Sequence, residues 1–273
     1  MTAELLTRRE LREHIAEMGL RRDDSVMVHA ALRSVGAMLN DPDALIGAIL
    51  DVLGPGGTLL AYASWNECYE ELIDEEGRAP ADLRDDIPAF EPHASRANRE
   101  HGAIAEFVRT WPGALRSGSP GASVAAIGAR AAWFTADHPL DYGYGPGSPF
   151  AKLVEAEGKV LMIGAPLDTM TLLHHAEHLA DIPGKRMRRY EVPLIVDGKR
   201  TWRQVEEFDT TDPVVEGLDA EYFADIVDEF LDDNEDFPEL ARRGFIGSAD
   251  SVLVSAAAIT AFAVEWLEEQ FPR

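Results

Sequence analysis

A chain of 273 residues, 46% of them hydrophobic and 8% aromatic, holds enough apolar material for a sizeable core, which sets aside a disordered protein. Its formal net charge is −24, from 49 Asp and Glu against 25 Lys and Arg, so nucleic acid and anionic membranes are not expected as partners. No apolar run reaches the ~18 residues of a membrane span. The opening MTAELLTRREL runs straight into charged helix formers, without the apolar centre of a signal peptide. One cysteine, Cys68, leaves no intrachain disulfide framework, so a cytoplasmic location is expected. Cys68 is weighed as a nucleophile and read as an incidental thiol. The acidity reads first as solubility and second as an acidic cleft for a small polycation.

In chain order, residues 4–19 predict an amphipathic helix with Leu5, Leu11, Ile15 and Leu20 near one face. A short strand from Ser25 to Val28 ends at His29. Pro42 to Leu53 reads as a helix capped by Asp41 and closed by Gly54-Pro55-Gly56-Gly57, and Thr58 to Ala63 as a buried strand. Residues 66–100 are acidic, weakly periodic and too long for a plain connection, and predict a partly helical flap. Gly102 to Thr110 resumes as helix. Ser123 to Ile127 and Lys159 to Ile163 read as strands, with the segment DYGYGPGSP (Asp141 to Pro149) between them. Tyr190 to Val196 and Arg200 to Glu207 predict a hairpin around Asp197-Gly198, and Ala256 to Phe271 a closing helix. This alternation predicts an α/β fold, with residues 1–273 as a single domain.

The densest chemistry lies in DTMTLLHHAEH, Asp168 to His178. Asp168 stands where a helix N-cap belongs. His174, Glu177 and His178 follow at helical spacing and share a face, with His175 turned about 100° away. Met170, Leu172 and Leu173 read as core. The pattern H-x-x-E-H also fits an inverted zinc-peptidase site, with His174 and His178 as ligands and Glu177 as base; Glu206, Glu207 and Asp209 would supply the third ligand. His29, at a strand's carboxyl end before Ala30 to Gly36, sits where open α/β sheets bind ligands. The phosphate-loop pattern and the acyl-CoA signature of the GNAT superfamily are both absent.

Six ordered blocks carry a resemblance: MVHAALRSVG (Met27 to Gly36), LGPGGTLL (Leu53 to Leu60), RTWPGALRS (Arg109 to Ser117), YGPGSPFAKL (Tyr144 to Leu153), LMIGAPLDTMTLLHHAE (Leu161 to Glu177) and FAVEWL (Phe262 to Leu267). Together they resemble the aminoglycoside 3-N-acetyltransferase family over nearly the whole chain. Two positions depart from the family's usual pattern: Ala31, where serine is common, and Ser119, where histidine or asparagine is usual.

The resemblance implies a three-layer α/β/α sandwich around a mixed sheet, distinct from GNAT. It implies acetyl-CoA as co-substrate, no metal, and a cationic aminoglycoside acetylated at its 3-amino group, giving antibiotic resistance. His174 is then the base, with Glu177 orienting it or holding the substrate ammonium, Asp168 supporting the network, and His29 at the acetyl end. Ala30, Ala31, Leu32, Arg33, Ser34, Val35 and Gly36 would line the cofactor path, with Ser117, Ser119 and Ser123 as contacts. Trp65, Tyr144, Glu206 and Asp209 would hold the acceptor. The oligomeric expectation is a monomer or homodimer. Rival readings are transfer to another amine, a zinc hydrolase, and a CoA-binding protein without catalysis.

Overall fold

The computed structural model describes residues 5–65, 70–210 and 213–271; Cys68 lies outside them. The chain builds α1 (Arg8–Glu17), β1 (Ser25–Ala30), α2 (Leu32–Val35), α3 (Asp41–Leu53), β2 (Thr58–Tyr62), α4 (Ala103–Arg109), β3 (Leu115–Arg116), β4 (Val124–Gly128), α5 (Ala131–Thr135) and α6 (Pro149–Glu155). It continues with β5 (Lys159–Ile163), α7 (Leu173–Leu179), β6 (Met187–Val196), β7 (Lys199–Phe208), α8 (Tyr222–Asp233), β8 (Ala241–Ile246), β9 (Ala249–Ser255) and α9 (Ala256–Gln270).

Among the described residues, seven strands form one mixed sheet in the order β3-β4-β2-β1-β5-β9-β8. The central β1 pairs in parallel with β2 and β5; the outer pairings are antiparallel. The three parallel strands, SVMVHA, TLLAY and KVLMI, are near-continuous apolar runs because helices cover both of their faces. Successive side chains alternate between faces. Val26, Val28 and Leu59 join Leu11, Leu45 and Val108 of α1, α3 and α4 on one side. Met27, Leu60 and Met162 join Phe134, Phe150, Leu173, Ile226 and Ile259 of α5 to α9 on the other. The result is the three-layer α/β/α sandwich that the resemblance implied.

β6 and β7 stand apart as a two-stranded hairpin. Its turn is Asp197-Gly198, both residues at positive φ (50° and 72°), which matches the right-handed twist of the flanking strands. The hairpin folds over a third core, Trp65, Phe90, Tyr190, Val192, Leu194 and Val205, shared with the acidic excursion. That excursion is mostly irregular, with short 3-10 turns at Glu70–Leu72 and Arg99–His101. Phe90 bridges to Leu194.

Two expected caps are not formed. Asp41 is the first residue of α3, behind an Asn40 that makes no side-chain cap bond. Asp168 lies in a separate 3-10 turn, Leu167–Thr169, while α7 starts at Leu173 behind Leu172. The sequence reading did not resolve α5, α6, α8, β8 or β9. In α8 the apolar residues Tyr222, Phe223, Ile226, Val227, Phe230 and Leu231 are buried along one stripe; its acidic face (Asp225, Asp228, Asp232) obscures that stripe when charge alone is read.

Candidate active site

β5 runs out of the sheet centre into Gly164, whose φ is +59° and whose missing Cβ leaves room for Ser34 and Ala249; an added Cβ would sit 2.6 Å from Ser34 Cβ. Only glycine adopts this turn without strain. Pro166 and the 3-10 turn then lead into α7, anchored by Met170, Leu172 and Leu173, all buried as core. This fixes the face that carries His174, Glu177 and His178.

His174 Nδ1 lies 2.6 Å from Glu177 Oε2. Glu177 is 1% exposed, and its other oxygen accepts from the Tyr222 hydroxyl of α8. A carboxylate accepts only, so the imidazole proton sits on Nδ1 and Nε2 keeps its lone pair. Tyr144 and Phe223 hold the ring from both sides, with centroids 4.9 Å away. His174, Glu177 and Tyr222 thus form a hydrogen-bonded chain, buried at its glutamate and phenol and partly open at its imidazole.

His178 does not join it. Its Nε2 is 3.0 Å from Glu207 Oε1, close enough to pair though off the line of a hydrogen bond. Glu207 also accepts from the Gly143 amide (2.6 Å). His174 and His178 therefore serve different carboxylates, and among the described residues no three His, Cys, Asp or Glu side chains converge to hold a metal ion. The two histidines of the zinc-peptidase pattern thus face Glu177 and Glu207 respectively. His175 is buried against the Tyr144 carbonyl, with Nδ1 at 2.7 Å, and burial lowers its pKa.

His174 opens on a cleft of about 390 Å³. Its wall carries the carboxylates Glu70, Glu100, Asp168 and Glu207; Arg188 is also there, 3.1 Å from Glu70 and stacked on Tyr190. Tyr144 lines the cleft; burial holds the pKa of its phenol well above the ordinary value. Asp168 contributes to this wall but makes no hydrogen bond to His174 or Glu177 among the described residues, because it stands in the turn before α7.

A second cleft of about 220 Å³ lies behind the first, lined by His29, Ala30, Ala31, Gly102 and Pro166. Tyr62, Glu100, His101, Thr169 and Thr171 belong to both, so they form the wall at which the two meet. His29 Nε2 is shielded from solvent and has no hydrogen-bond partner among the described residues. Burial, then the nearby His101, pushes its pKa down to about 4. Beyond this cleft a groove follows Ser34, Ala165, Pro166 and Leu167 outward, with Arg243 and Ser248 on its far side.

Several expected contacts lie elsewhere. Ser117 and Ser123 are fully buried: Ser117 accepts from the Val124 amide and meets His138, while Ser123 donates to the Ala63 carbonyl. Ser119 lines the carboxylate-rich cleft rather than the one behind it. Trp65 is 4% exposed and packs on Phe90 beneath the hairpin. Glu206 turns away to Tyr142 and Arg189, and its neighbour Glu207 faces the cleft. Asp209 pairs its amide with the Arg186 carbonyl, and Thr210 takes the lining position. Of the Leu32 to Gly36 stretch, Val35 is core, Leu32 packs beside it, Arg33 is exposed, and Gly36 sits at a positive φ beside a further surface hollow. His101 and Tyr222 went unassigned in the sequence because no short motif contains them, and Glu207 entered only as a ligand of the zinc-peptidase alternative.

The fold is an α/β/α sandwich whose histidine–carboxylate pair opens on one of two clefts that share a wall. Residues 27–268 match the family model described as aminoglycoside 3-N-acetyltransferase, and the chain belongs to that acyltransferase family. It is 42% identical over 263 residues to aminoglycoside N(3)-acetyltransferase III of Pseudomonas aeruginosa, covering 93% of this chain and 90% of that one. It is 40% identical over 276 residues to enzyme VII of Streptomyces paromomycinus, covering 98% and 93%. Among solved structures, AAC-IIIb in binary complex with CoASH superposes with a TM-score of 0.95 at 58% identity, covering 99% and 100%. Sisomicin-bound AAC-VIa superposes at 0.92 with 36% identity, covering 99% and 100%. No helix among the described residues is long and apolar enough to cross a membrane.

Proposed function

We propose that this chain transfers the acetyl group of acetyl-CoA to the 3-amino group of 2-deoxystreptamine aminoglycosides in the cytoplasm, and so gives resistance to them. The observation that carries this reading is the His174–Glu177 pair, 2.6 Å apart, facing a carboxylate-rich cleft that meets a second one. The acceptor, a polycation, occupies the cleft with Glu70, Glu100, Asp168 and Glu207. Acetyl-CoA enters from the side of His29, where Ala30, Ala31 and Gly102 leave room for a thin pantetheine arm.

The amine enters as an ammonium and loses one proton to solvent. Its nitrogen pair then attacks the thioester carbon as His174 Nε2 removes a second proton, and the carbonyl electron pair moves onto oxygen. Collapse of that oxyanion breaks the C–S bond, and the proton on His174 passes to the leaving thiolate. Amide, CoA thiol and neutral imidazole result. Glu177, fixed by Tyr222, holds the imidazole in the required tautomer and stabilises its cationic form. His29 attends the acetyl end. The titration of thiol release from acetyl-CoA against a panel of amines tests the reading, with the acetylated position found by NMR. Release with sisomicin or gentamicin, with the acetyl group on the 3-amino nitrogen, supports it; release only with unrelated amines redirects it.

A further inference from the structure

His101 belongs to the wall between the two clefts and is the imidazole that borders both: His29 borders only the rear cleft, and His174 only the carboxylate-rich one. It closes a 3-10 turn, Arg99–His101, and lies 4.4 Å from the Tyr62 ring. In the acetyl-transfer reading, on which this inference rests, the thioester carbonyl and the incoming nitrogen meet at this wall. Charge developing on the carbonyl oxygen there needs a hydrogen-bond donor.

The other side chains of the wall have committed their protons. The Thr169 hydroxyl donates to the Pro166 carbonyl at 2.6 Å, and the Thr171 hydroxyl to the Thr169 carbonyl at 3.4 Å. The Tyr62 hydroxyl lies 2.8 Å from the Gly121 carbonyl and 2.6 Å from the Tyr144 hydroxyl. Glu100 offers only an acceptor when ionised. His101 differs. Its Nε2 is 2.5 Å from Ser64 Oγ, and that hydroxyl has no other hydrogen-bond partner among the described residues. A hydroxyl can give or take the proton of this contact; in the tautomer on which the proposal stands, Ser64 donates to Nε2. The neutral ring then carries its own proton on Nδ1, which no described residue engages.

We propose that His101 is a further catalytic residue: its Nδ1–H donates to the thioester oxygen as that oxygen takes up the carbonyl electron pair. The ring is suited to give a hydrogen bond without giving up the proton. Burial, then the proximity of His174, pushes its pKa down to about 4, so the imidazole stays neutral while His174 cycles through its cation. Two histidines at one junction thus divide the labour, one moving a proton and the other holding charge.

The test is steady-state kinetics of the full chain with acetyl-CoA and sisomicin, following thiol release. His101→Ala should lower kcat about 10²–10³-fold, the cost of removing one oxyanion donor. Both KM values should stay within about threefold, because the interaction forms only in the transition state. His101→Asn places an amide N–H near the position of Nδ1 and should recover at least about tenfold over alanine; His101→Gln, whose amide reaches toward Nε2, should not. The dependence of kcat on pH should keep the same acid limb in the asparagine variant, since His174 remains the base. A kcat for His101→Ala within about threefold of wild type overturns the proposal. So do equal losses in the alanine and asparagine variants, or a loss confined to KM. Failure of the wild-type chain to release thiol with sisomicin and with gentamicin sinks the transfer reading, and the proposal with it.

Discussion

Buried partners set what each imidazole of the HHAEH run can do. His174→Ala should reduce kcat by about 10²–10⁴-fold, the range for a general base, in a chain that still folds. His175→Ala should act chiefly on stability. It removes the 2.7 Å partner of the buried Tyr144 carbonyl, which keeps only the Ser148 hydroxyl at 3.3 Å, and empties the space of a buried ring, a loss of about 1–3 kcal/mol of stability that affects turnover only indirectly. Kinetics and thermal melts on both variants check this; a His174→Ala enzyme with a third of wild-type kcat removes that residue from the role. The His174–Glu177 pairing was legible in the sequence because an i, i+3 spacing puts two side chains on one helical face. Tyr222, 45 residues after Glu177, was not, because only tertiary packing brings α8 to α7. His101 gave no signal either: a lone histidine between Glu100 and Gly102 has no periodic neighbour to mark it.

At the scale of elements, strand alternation explains the most consequential error. A β-strand has a period of two, so of Glu206 and Glu207 only one can face the cleft, and the acidic pair itself does not say which. The hairpin register pairs Arg189 with Glu206 and Arg188 with Glu207, and it turns Glu207 inward. Glu207→Gln should therefore raise the aminoglycoside KM about tenfold or more, the loss expected for a desolvated charge contact, while Glu206→Gln changes it less than about twofold. The opposite order in a KM comparison would mean that the hairpin sits one residue out of register. The sheet was easier to read. β1, β2 and β5 are near-continuous apolar runs, and β2 and β5 adjoin glycine turns, whereas β8 (ARRGFI) carries two arginines and lies at the sheet edge, so its composition hides it.

For the whole molecule, charge and burial predict two opposite responses to solution conditions. His29, His101 and His138 are each held to a pKa of about 4, first by burial. Unfolded histidines titrate near ~6.5, so below that pH the unfolded chain binds protons that the folded chain refuses. Stability should be full above pH ~6.5 and fall as pH descends toward ~4, with unfolding taking up as many as three protons. Melting temperatures between these limits test it, and His138→Gln should flatten the slope; a flat profile in the wild-type chain contradicts it. Salt acts on the acceptor instead. Four carboxylates line the cleft among the described residues, and ions screen attraction beyond ~8–10 Å. Added salt should raise the aminoglycoside KM far more than it alters kcat, with the acetyl-CoA KM flat or falling. An aminoglycoside KM insensitive to ionic strength would leave the net charge of −24 as a matter of solubility alone.

The hairpin has a core of its own, Trp65 and Phe90 against Tyr190, Val192 and Val205, separate from the two cores that hold the sheet. His29 lies on β1 and His174 on the helix that follows β5, while much of the carboxylate-rich cleft's wall hangs from the hairpin and the excursion folded against it. Under the proposed function, acceptor contacts on the hairpin and on residues 70–97 can then vary while the His174–Glu177 pair and His101 keep their places, much as a tool head is changed on one handle. A chimera that takes residues 70–97 and the hairpin from a relative, keeping their shared core and this chain's own Glu100 and His101, should inherit that relative's acceptor preferences while retaining this chain's rate of thiol release on a shared substrate.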